Sequence, residues 1–149
     1  MTLTEKETSL LKDLKTQEQL CIDKYTEYES SACDPALKTI FGDIKKTEET
    51  HLSTVNRILG GEEVAMPATM PEAKKADCQT SQCSIENKKH DEYLCRDALA
   101  TEKHVSSLYN TSVFEFNSPV LRDTLAHIQK EEQNHGETIY SYMSKNMMY

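Results

Sequence analysis

Apolar residues along this chain recur at spacings that alternate between three and four, which collects them on one face of a helix. In the first segment the stripe reads Leu11, Leu14, Glu18, Cys21, Tyr25 and Tyr28. In the second it reads Leu37, Phe41, Ile44, Glu48, His51, Val55 and Ile58. The third gives Cys95, Ala98, Glu102, Val105 and Tyr109; the fourth gives Leu121, Leu125, Ile128, Glu132, His135, Ile139 and Tyr142. Local signals bound these stripes. Thr4-Glu5-Lys6-Glu7 is a capping box. Asp34-Pro35 and Ser118-Pro119 each put a capping side chain before a proline at the first helical position. Gly60-Gly61 is a helix stop. The pattern predicts helices at 5–31, 35–59, 85–115 and 119–145 in a single domain of 149 residues, with 60–84 as an irregular connection.

Very short turns join the first helix to the second and the third to the fourth, so each pair should form an antiparallel hairpin. The 60–84 stretch carries Pro67 and Pro71 and lacks helical periodicity. Extended chain covers about 3.3 Å per residue against 1.5 Å in a helix, so this connection can run the full length of the bundle. The expected fold is all-α, a four-helix bundle of two antiparallel hairpins joined by a long crossover. The second half also repeats the first at an offset of 84 without a gap. Leu10 falls on Leu94, Glu18 on Glu102, Tyr25 on Tyr109, Pro35 on Pro119, Glu48 on Glu132 and His51 on His135. Such a repeat implies approximate two-fold symmetry.

Each apolar stripe carries one Glu near its middle, and none carries Lys or Arg. A buried ionised carboxylate without a partner costs several kcal/mol or more, and a group of them repel each other. Two divalent cations would neutralise Glu18, Glu48, Glu102 and Glu132. His51 and His135, each three residues after a Glu and so on the same helix face, would complete the shell with neutral nitrogen. One Glu from each of two helices, plus Glu-x-x-His from each of the other two, is the spacing of carboxylate di-metal sites. Tyr25 and Tyr109 lie seven residues past Glu18 and Glu102, about 10 Å further along the same face. They read either as core packing or as hydrogen-bond donors to a ligand carboxylate. His90, His104 and His127 lie off the stripes and are expected at the surface or rim. Glu131, Glu62 and Glu63 are expected on solvated faces.

Composition narrows the function classes. A net charge of −8 makes the chain a poor binder of nucleic acid or of an anionic membrane. No run of apolar residues exceeds three, so neither a membrane span nor a signal-peptide core is expected. The five cysteines, at 21, 33, 78, 83 and 95, are odd in number and are expected as reduced, unligated thiols. Cys78 and Cys83 could form a redox-sensitive pair in the connection. The Met- and Tyr-rich end, Tyr140 to Tyr149, is expected as a frayed helix end or a packing surface for partners.

The order Glu18, Glu48-Glu49-Thr50-His51, Glu102, Glu132-Gln133-Asn134-His135 resembles the ferritin-like di-iron carboxylate superfamily over nearly the whole chain. Within it the chain is similar to rubrerythrin-related proteins. Through residues 10–59 and 118–135 it also resembles the coat F-type spore-coat proteins of endospore formers. The resemblance implies a ferritin-like bundle holding two iron or manganese ions on Glu18, Glu48, His51, Glu102, Glu132 and His135. It implies a redox enzyme acting on peroxide or O2, with Tyr25 and Tyr109 in catalytic positions. The alternative it implies is a structural spore-coat protein whose metal centre mainly holds the bundle together. The chain has no paired C-x-x-C motifs of a rubredoxin domain, and Val105 stands where rubrerythrins carry an extra glutamate. The expected location is the cytoplasm or the spore coat, and the expected partners are coat proteins or a second copy in a homodimer.

Overall fold

The computed structural model describes residues 1–74 and 79–149. Its helices are α1 (Glu5–Ser31), α2 (Pro35–Leu59), α3 (Ile85–Glu115) and α4 (Pro119–Lys145). They begin at the capping residues. The Thr4 side chain accepts from the Glu7 amide while Glu7 accepts from the Thr4 amide. Asp34, Ser84 and Ser118 accept from Ala36, Asn87 and Leu121. Each cap satisfies a helix-start amide that would otherwise have no partner.

The helices pack as two antiparallel hairpins, α1 with α2 and α3 with α4; between the hairpins α1 meets α3 and α2 meets α4. Leu11, Leu37, Phe41, Val55, Val105, Leu121, Leu125, Ile128 and Ile139 are fully enclosed. Burying such a side chain contributes about 1.5–3 kcal/mol, so these stripes hold the bundle together. The connection after α2 is irregular among the described residues and runs along α4. Thr124, Asn134 and Thr138 of α4 donate to the carbonyls of Val64, Pro71 and Lys74 at 2.6, 3.0 and 3.0 Å.

The two-fold relation extends to the turns. Asp91, buried on α3, accepts the amides of Cys33 and Asp34 in the α1–α2 turn at 2.8 and 3.0 Å. Its counterpart at the offset of 84, Glu7 on α1, accepts the amide of Asn117 in the α3–α4 turn at 2.8 Å. Each hairpin turn is thus tied to the opposite hairpin by a carboxylate that satisfies buried backbone donors.

Three expectations need correction. Cys33 and Cys83 form a disulfide across a sequence separation of 50, with their Cα atoms 6.4 Å apart, instead of staying as free thiols. The turn after α1 and the segment entering α3 meet at the same end of the bundle, a proximity invisible to spacing. The proposed Cys78–Cys83 pair falls on Cys78, which lies outside the described residues. The C-terminal end is folded rather than frayed. The Met148 amide closes on the Met143 carbonyl at 2.9 Å, Met148 is buried, and Tyr149 stacks edge-on against Tyr140. His127 is buried instead of exposed, whereas His90 and His104 are exposed as expected.

Candidate metal centre

Halfway along the bundle the four stripes bring Glu18, Glu48, His51, Glu102, Glu132 and His135 together. Glu48 and His51 share one turn of α2, and Glu132 and His135 share one turn of α4; α1 and α3 each add one Glu. Glu18, Glu48 and His51 are fully enclosed, and His135 retains 8% of its surface. The six resolve into two overlapping groups. One is Glu18, Glu48, His51 and Glu132; the other is Glu48, Glu102, Glu132 and His135, and in each the ligand atoms lie within 4.8 Å of one another. Glu48 and Glu132 belong to both groups.

The distances obey the two-fold relation. His51 Nδ1 lies 3.1 Å from Glu48, 3.2 Å from Glu132 and 3.7 Å from Glu18. His135 Nδ1 lies 3.2 Å from Glu48, 3.4 Å from Glu132 and 3.5 Å from Glu102. Each imidazole therefore faces one oxygen of each shared carboxylate and one oxygen of an unshared one. The two rings are 5.9 Å apart and nearly parallel.

Several of these atoms have no hydrogen-bond partner: Glu18 Oε2, Glu48 Oε1, Glu102 Oε2, both oxygens of Glu132, and His135 Nδ1. Their convergence on two points fits a pair of divalent cations: Glu48 and Glu132, common to both groups, would serve both, with Glu18 and His51 completing one set and Glu102 and His135 the other. Mixed carboxylate and imidazole donors suit divalent first-row transition metals.

Without cations the group balances its charge with protons. Burial, with repulsion from Glu132 and Glu48, raises Glu18 to about 8 and Glu102 well above the usual carboxylate range. Burial also works against ionised Glu48 and Glu132, yet the adjacent His135 and His51 hold both below that range. Burial disfavours charge on the imidazoles as well, but the surrounding carboxylates raise His51 and His135 well above their ordinary value. Two neutral carboxyls, two carboxylates and two imidazoliums sum to zero. Two divalent cations replacing the protons on Glu18, Glu102, His51 and His135 would also sum to zero.

The tyrosines contact the centre crosswise. Tyr25 of α1 donates to Glu102 Oε1 of α3, and Tyr109 of α3 donates to Glu18 Oε1 of α1. Each phenol fixes one oxygen of an unshared carboxylate and leaves the other facing the centre. Sequence reasoning missed Glu131. Its carboxylate lies 2.8 Å from His51 Nε2 and 3.7 Å from His127 Nε2, so it orients the His51 ring with Nδ1 inward. The repeat argument passes over it because its counterpart is Thr47; the only sequence signal is the i, i+4 pairing with His127. Cys21 is also near, but burial and the four glutamates push its thiol up, so it offers no thiolate.

Two clefts approach the centre. One, of about 460 Å³, lies between α2, α4 and the crossover and reaches His135 beside Thr47 and Pro71. The other, also of about 460 Å³, lies along α3 and α4 and reaches Glu102 and Glu132. No helix among the described residues is long and apolar enough to cross a membrane.

Residues 90–149, most of the second hairpin, match the family model described as the Coat F domain. No curated protein and no solved structure matched the chain.

Proposed function

We propose that this chain is a spore-coat component whose ferritin-like bundle is held closed by a carboxylate centre for two divalent cations, iron or manganese. Two findings support the reading: the Coat F match over residues 90–149 and the two overlapping groups of buried carboxylate and imidazole atoms that make no hydrogen bond. The second carries the metal part. A metal-free core keeps four carboxyl groups together at a cost that cations would relieve, so binding to the folded state would stabilise the bundle. When bound, the ions supply positive charge and coordination bonds. The chain's own residues do the rest: Tyr25 and Tyr109 fix the outer carboxylates, Glu131 orients His51, and the apolar stripes exclude water. The coat partners would be other coat proteins meeting the exposed helix faces.

The test begins with metal content after purification without chelator, in the parent and in Glu48→Ala with Glu132→Ala. About two ions per chain in the parent, lost in the double variant together with a fall in melting temperature, is the expected result. A tagged copy expressed in a sporulating bacterium should fractionate with the coat. A parent that holds no ion after reconstitution refutes the metal centre, and a tag absent from the coat refutes the location.

A redox role on peroxide or O2 is the second reading. The observation that favours it is the cleft along α3 and α4, which would let a small molecule approach Glu102 and Glu132. Peroxide consumption that disappears with the ions would select it; loaded protein without turnover leaves the structural role.

A further inference from the structure

The six ligands obey the two-fold relation, but the walls around them do not. At the offset of 84, Gly136 corresponds to Leu52, Ser106 to Ile22 and Glu131 to Thr47. Along α3 and α4 the cleft is walled by Leu99, Ser106 and Gly136 and ends on Glu102 and Glu132. The equivalent groove along α1 and α2 is lined by Ile22, Leu52 and Asn56 and reaches no ligand carboxylate. Where one face has a glycine and a serine, the other is filled by a leucine and an isoleucine.

Gly136 sits inside a helix, where glycine is unfavourable, so its presence needs a reason. A Cβ there would stand 3.5 Å from Leu99, an ordinary contact, so no steric conflict demands glycine. What the missing side chain provides is the opening. The second imbalance acts in the same direction. His51 is fully enclosed and its outer nitrogen is held by Glu131, whereas His135 borders the other cleft, with Thr47 at the position equivalent to Glu131.

We propose that the two cation positions are unequal: the Glu18/His51 position is sealed and retains its ion, while the Glu102/His135 position exchanges its ion through the cleft at Gly136. The inference rests on the di-metal reading above. The cleft suits a hydrated divalent cation, since Glu137 joins Glu102 and Glu132 on its lining against one cation, Lys103, and Ser106 and Gln133 offer oxygen along the way.

The experiment loads the full chain with Co²⁺, removes the excess, and follows release into an indicator chelator in stopped flow. The parent is expected to release two ions in two phases of equal amplitude. Gly136→Leu should slow the fast phase roughly tenfold or more and leave the slow phase unchanged, because a leucine must be displaced before the ion can pass. Gly136→Ala, sterically mild at 3.5 Å from Leu99, gives a smaller slowing and serves if the leucine variant fails to fold. Leu52→Gly should accelerate the slow phase. Release in one phase, or a fast phase unmoved by both Gly136 variants, overturns the inequality while leaving the metal centre standing. A parent that takes up no Co²⁺ overturns the centre and the inequality with it.

Discussion

Loading the metal-free protein with two divalent cations at pH 7 should release about four protons per chain. The number follows from the buried groups. At pH 7, Glu18, at about 8, is roughly nine-tenths protonated. Glu102, His51 and His135 are raised well above their ordinary values, and neutrality of the buried group of four carboxyls and two imidazoles has each of them carry a proton as well. Glu48 and Glu132 hold none. Since cations need all six as deprotonated ligands, the held protons must leave. At pH 9 Glu18 is mostly ionised beforehand, and the release falls to about three. Roughly two protons per ion also make the affinity for each ion rise about a hundredfold per pH unit near neutrality. Titration calorimetry in two buffers of different ionisation enthalpy measures the count directly. The sign for stability follows as well. Glu18, Glu102, His51 and His135 have raised values in the folded state. Their stabilisation is therefore complete below the unfolded values and lost as pH rises through the folded ones. The metal-free protein should accordingly melt lower at pH 9 than at pH 7, and added Mn²⁺ should remove the difference. Release of one proton or fewer at pH 7 would refute the charge balance argued from these six residues.

Other substitutions probe the surroundings. Glu131→Ala should weaken cation binding about 10- to 100-fold by freeing the His51 ring, whereas Thr47→Ala, its counterpart, should change affinity little; competition with a chelator reads both. Tyr25→Phe and Tyr109→Phe should each cost about 1–3 kcal/mol in the metal-free protein, measured by denaturant unfolding, since each leaves a buried oxygen of Glu102 or Glu18 without its donor. Equal losses are expected from the two-fold relation, and no loss in either would show that these phenols only pack. Cys33→Ser should lower stability by about 4 kcal/mol, from the chain entropy released when a loop spanning a separation of 50 is opened. The parent treated with reductant should match it.

The four helices, their starts and the convergence of four buried glutamates and two histidines were legible in the sequence because each rests on local rules. A cap acts over three residues, as in Thr4 and Glu7, and a buried stripe repeats every turn. The offset of 84 added the pairing of halves, since equal hairpins pack most simply by two-fold symmetry. Tyr25 and Tyr109 could be placed on the ligand face by periodicity, but which carboxylate each reaches depends on how α1 meets α3. Tertiary packing alone set those crosswise bonds. The same holds for Glu131 on His51, the Cys33–Cys83 disulfide and the burial of His127. The disulfide and the Glu131 contact join residues 50 and 80 positions apart, and no helical period links such positions. The asymmetry at Gly136 belongs to both levels: the glycine is written in the chain, but only the packing of α3 against α4 turns its missing side chain into a way to the centre.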